Sequence, residues 1–81
     1  MATVWIADGY GVYGKDRVAD ILIDFLAEVK AEGLADEFTK AVADGRVYYD
    51  MGTIQVKDTT PVVDVFLDVL KAHGIVPAIT D

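Results

Sequence analysis

The sequence predicts an α+β domain, a ferredoxin-like split β-α-β sandwich in which helices cover one face of a four-stranded antiparallel sheet. Three observations lead there. Apolar residues recur with a period that switches between strand and helix to give the order β-α-α-β-β-α-β. Right-handed crossovers around a central hairpin then generate the spatial strand order 4-1-3-2. The most apolar strand comes first, suiting a central position, and the only proline in strand-like sequence, Pro77, comes last and suits an edge, because proline donates no ladder hydrogen bond.

Taken in order, residues 3–7 form the first strand, and the glycines at 9, 11 and 14 end it in a loop. From Lys15 to Glu32 nothing breaks a helix, and Val18, Ile21, Leu22, Phe25, Leu26 and Val29 fall within an arc of about 140°. Asp16 serves as N-cap or places negative charge at the positive helix end, and Gly33 closes the helix. Residues 34–44 read as a shorter helix with Leu34, Phe38, Ala41 and Val42 inward, stopped by Gly45. Residues 46–50 and 53–57 form a hairpin across Met51-Gly52. Thr60-Pro61 starts a helix running to His73, Gly74 stops it, and residues 75–79 are the last strand. Residues 1–81 make a single domain.

Composition narrows function. Fourteen acids against seven bases give a net charge of −7, which repels polyphosphate backbones and anionic membranes and leaves basic proteins as partners. The absence of cysteine removes disulfides and thiolate metal sites, and a single histidine removes a histidine-based zinc site within one chain. No serine is present, so a Ser-His-Asp arrangement is excluded. No apolar run approaches the roughly 20 residues of a membrane span, and no signal-type core stands at the N-terminus. The expectation is a cytoplasmic protein without metal or cofactor.

Gly9-Tyr10-Gly11-Val12-Tyr13-Gly14 matches G-x-G-x-x-G between a strand and a helix, the context of a dinucleotide site. Two tyrosines crowd that turn, Asp8 brings the wrong charge, and Asp16 stands where a phosphate-binding loop needs a hydroxyl. The expected role is a tight connection with the tyrosines over the edge of the core.

Asp16, Asp20, Asp24 and Glu28 step along the long helix at four-residue intervals over about 120°. Together with Tyr10 and Tyr13 they are the candidate surface for a basic partner, and carboxylates so placed could occupy the phosphate site of a nucleic-acid-binding protein. That reading makes the chain a non-enzymatic interaction module or inhibitor. The alternative is a homo-oligomeric small-ligand binder or simple enzyme that uses Trp5 and Tyr48 on the helix-free sheet face. The last helix also points to a homodimer, because its apolar residues cover about 200° and exceed what one sheet face buries.

Overall fold

The computed structural model describes residues 2–80. Its elements are β1 (Thr3–Ile6), α1 (Gly9–Val12), α2 (Lys15–Ala31), α3 (Ala35–Ala43), β2 (Val47–Asp50), β3 (Thr53–Lys57), α4 (Val62–Ala72) and β4 (Ala78–Thr80). The architecture is α+β, with one four-stranded sheet in the order β2-β3-β1-β4 and every neighbouring pair antiparallel. β1 is an inner strand, as its apolar sequence requires, and β4 lies at an edge.

Strand alternation sorts the two faces of the sheet. Val4 and Ile6 of β1 pair with Val56 and Ile54 of β3, and all four are buried. They form one core with Val18, Ile21, Phe25 and Val29 of α2, Ala41 of α3 and the inner side of α4. Phe25 is the hub. Its ring meets Phe38 edge-on at 5.5 Å and Phe66 tilted at 5.0 Å, geometries that contribute beyond the area they bury. The opposite face presents Trp5, which pairs with Gln55 on one side and Ala78 on the other, while Tyr48 pairs with Gln55 from β2.

Four details differ from the sequence reading. The glycine-rich connection contains a one-turn helix, α1, entered through Asp8 in the left-handed conformation at φ 51°. Asp16 is not a cap but lies in the first turn of α2, behind Gly14 as N-cap residue, where its charge still complements the helix dipole. Leu26 and Val42, expected inward, are 50% and 49% exposed; the predicted arcs are wider than the surface the sheet and neighbouring helices cover. The last strand is shorter and later than 75–79, so Pro77 precedes it and Ile75 instead packs into the core.

The wide apolar arc of α4 is largely accommodated within the chain. Val62, Val65, Phe66, Val69 and Leu70 are buried, and Val63 and Leu67 pack partly against the core. α2 packs directly alongside α4.

Candidate functional site: an acidic groove between two helices

Three close approaches build the β1–α1–hairpin corner. The Gly9 N–H donates to the Gly52 carbonyl at 2.9 Å. A Cβ on Gly9 would stand 2.4 Å from that oxygen and 2.9 Å from Val18 Cγ2, so no larger residue fits. The hydroxyls of Tyr10 and Tyr49 share a hydrogen bond at 2.6 Å, and the Lys15 ammonium stands 5.6 Å from the Tyr10 ring centroid. Within the glycine run, the N–H groups of Val12, Tyr13 and Gly14 donate to the carbonyls of Asp8, Gly9 and Tyr10. Those three amides are therefore not free to cradle a phosphate, and of the three glycines Gly9 is required by close packing and Gly14 by its positive φ of 87°.

A concavity of about 600 Å³ lies elsewhere, between α2 and α4. Its lining includes the buried Val65 and Val69 as an apolar floor and the exposed Ala27 and Ala72 beside it, with five carboxylates: Asp24 and Glu28 on α2, Glu32 at its C-cap, and Asp64 and Asp68 along α4. No lysine or arginine lines it. His73 closes one end. Its Nε2 donates to Asp24 Oδ2 at 2.6 Å, and its backbone carbonyl accepts from the Arg17 guanidinium, which fastens the end of α4 to α2.

Helix geometry explains which acids reach the groove. Residues four apart drift about 40° per step around a helix of 3.6 residues per turn. The row that starts at Asp16 and Asp20, on the side of α2 remote from the core, therefore swings toward α4 by Asp24 and Glu28, and Glu32 continues it. The structure brings Asp24 and Glu28 into the groove and leaves Asp16 and Asp20 exposed outside it. Tyr10 and Tyr13 are half-buried against the core and also lie outside the groove lining. Asp24 is partly committed to His73. Among the described residues Glu28, Glu32, Asp64 and Asp68 make no ion pair.

Sequence reasoning missed Glu32, Asp64 and Asp68 as members of this set. Asp64 and Asp68 had a signal, since they stand one turn apart on the polar stripe of the last helix. What was missing was the side-by-side placement of α2 and α4. The acids are also spread out: no group of three or more His, Asp or Glu among the described residues is gathered closely enough to hold a metal ion.

On the helix-free face, Trp5 and Tyr48 flank Gln55 across β1, β3 and β2. Trp5 Nε1 is shielded from solvent and has no hydrogen-bond partner among the described residues. Tyr48 is 46% exposed, and its hydroxyl donates to Asp50 Oδ2 at 3.2 Å. The negative charge of Asp50 is the main reason that the Tyr48 phenol titrates above its ordinary value, with this hydrogen bond second. No helix among the described residues is long and apolar enough to cross a membrane. Comparison of the chain with protein-family models, with curated proteins and with solved structures gave no match in any of the three.

Proposed function

We propose that this chain is a non-enzymatic interaction module that engages a basic surface on another protein, with the α2–α4 face as its contact. One observation carries the reading: five carboxylates line an apolar-floored groove that contains no lysine or arginine. Isolated surface acids are usually relieved by nearby cations, and like charges one helical turn apart cost a few tenths of a kcal/mol per pair. Here that cost is left in place along both walls. A basic partner would remove it and gain desolvated apolar contact on the floor at the same time.

The carboxylates of one wall stand about 6 Å apart along the axis, and an anionic row of this kind suits a protein surface made for phosphates. Inhibition of a nucleic-acid-binding protein is therefore the form of the activity proposed. The fold is proposed to be ferredoxin-like: counted from β4 the strand order reads 4-1-3-2, and helices follow β1 and β3. Such a frame hosts many functions and adds nothing to this one.

The test is binding to poly-lysine at low and high salt, with Glu28→Lys/Asp68→Lys as the variant. The reading requires salt-sensitive binding that the double reversal abolishes. Unchanged affinity in the reversed protein would remove it.

A second reading rests on Trp5 Nε1, an indole donor without a partner among the described residues, beside the open sheet face. A ligand acceptor, or a carbonyl from a second copy of the chain, would satisfy it. Quenching or a spectral shift of the sole tryptophan on ligand addition, or on raising the protein concentration, is its signature.

A further inference from the structure

We infer that the groove between α2 and α4 seats a basic amphipathic helix from the partner protein; this rests on the interaction reading above and specifies the shape of what binds. Three features select a helix. First, the walls are themselves helical and carry acids at four-residue spacing, Asp24 and Glu28 on one and Asp64 and Asp68 on the other. Lysines or arginines four apart on a docked helix repeat at the same interval of about 6 Å. Second, the floor of Val65 and Val69 is apolar, and the exposed Ala27 and Ala72 beside it in the lining are small. Small side chains leave room for the ridge of another helix to enter, as close helix packing needs. Third, acids flank the floor on both sides, which matches a helix whose apolar stripe is bordered by cations on both edges.

The charge distribution also weighs against a compact cation. Because no three acids among the described residues converge on one point, their field is best neutralised by charges fixed along a rod. Helix α4, which forms one wall, has 11 residues and is about 16 Å long at 1.5 Å per residue. A docked segment of about three turns spans it.

The experiment uses the whole chain and a synthetic peptide of about 12 residues, built from leucine and lysine in helical periodicity. A second peptide has the same composition in scrambled order, and spermidine is a third probe. The patterned peptide is expected to bind about tenfold more tightly than the scrambled one and to gain helical circular dichroism on binding. Ala27→Trp places bulk in the groove lining without changing any charge and should lower that affinity about tenfold. Ala72→Trp is an independent variant at the other wall, and cooperative melting certifies that each is folded.

If the two peptides bind equally and both variants are indifferent, the helix seat is wrong, while the basic-partner reading survives. If neither peptide binds the folded chain, both fall. If spermidine binds more tightly than the patterned peptide, the groove takes a small polycation and the helix proposal is overturned.

Discussion

His73 Nε2 stands 2.6 Å from Asp24 Oδ2 and couples the last residue of the α4 cap to the middle of α2. The imidazole side chain is 19% exposed and the carboxylate 56%, so water screens the pair on one side only. The same histidine offers its carbonyl to Arg17. Two residues of α2 and the C-cap of α4 thus close one end of the groove, and an acid that the sequence offered for partner binding also serves the fold.

Removing this link should cost little but measurably. His73→Ala and Asp24→Ala are each expected to lower stability by about 0.5–1 kcal/mol, the range for a hydrogen-bonded pair partly open to solvent. The double variant should lose less than the sum, and urea unfolding of the four proteins measures the difference. Strict additivity would show that the contact contributes nothing.

Gly9 gives a sharper result. A methyl group there meets the Gly52 carbonyl, a backbone atom that the hairpin fixes, and the Val18 side chain in the core. Gly9→Ala should destabilise by about 2 kcal/mol, within the range for overpacking. At Gly11 the added carbon would meet only the Asp8 carboxylate, the end of an exposed side chain that can rotate away. Gly11→Ala is therefore expected to stay within about 1 kcal/mol of the parent. Equal losses at the two positions in thermal melts would mean that packing against the hairpin is not what requires glycine at position 9.

These two glycines show how far the sequence could be read. Strand and helix periods, and the stops at Gly33, Gly45 and Gly74, are local signals, and the major elements lie where they point. The α1 turn was hidden because glycine-rich sequence has poor helix propensity; it forms because Gly9 docks on Gly52. Leu26 and Val42 were misassigned because an arc on a helical wheel does not show how much of it neighbours cover. The groove was illegible for a related reason. Its walls come from residues 24–32 and 61–73, and only the packing of α2 against α4 makes a single surface of two separate acidic rows.

Alkaline titration should resolve the tyrosines of β2. The Asp50 charge, and then its hydrogen bond, hold the Tyr48 phenol above its ordinary value, while the hydrogen bond with Tyr10 is the largest cause of the same shift in Tyr49. Phenols whose folded-state values are raised favour the folded state below the unfolded value of about 10. That contribution is lost as pH rises through the folded values. Ultraviolet titration of the phenolates should show Asp50→Asn lowering the Tyr48 midpoint and Tyr10→Phe lowering that of Tyr49. A variant that leaves its midpoint in place would show that the corresponding contact is not kept in solution.

The groove carboxylates should trade stability against binding. Glu28, Glu32, Asp64 and Asp68 share one concavity without an ion pair among the described residues, in a chain of net charge −7. Their repulsion is screened by salt, with a Debye length near 10 Å at 0.1 M. The parent protein should therefore melt at a higher temperature as salt is added. Glu28→Gln/Asp68→Asn keeps the side-chain shapes and removes two charges, and is expected to raise stability at low salt by about 0.5 kcal/mol and to flatten the salt dependence. Asp16→Asn/Asp20→Asn removes equal charge outside the groove, yet it deletes a favourable dipole contact at the start of α2 and should gain nothing. Binding to a basic probe separates the pairs further: the groove pair should lose it and the outer pair should retain most of it. A gain in stability accompanied by a loss of binding is the behaviour of residues kept for function at the expense of the fold. If the outer pair loses binding instead, the contact surface lies on the exposed side of α2, and the groove is only a solvated seam between two helices.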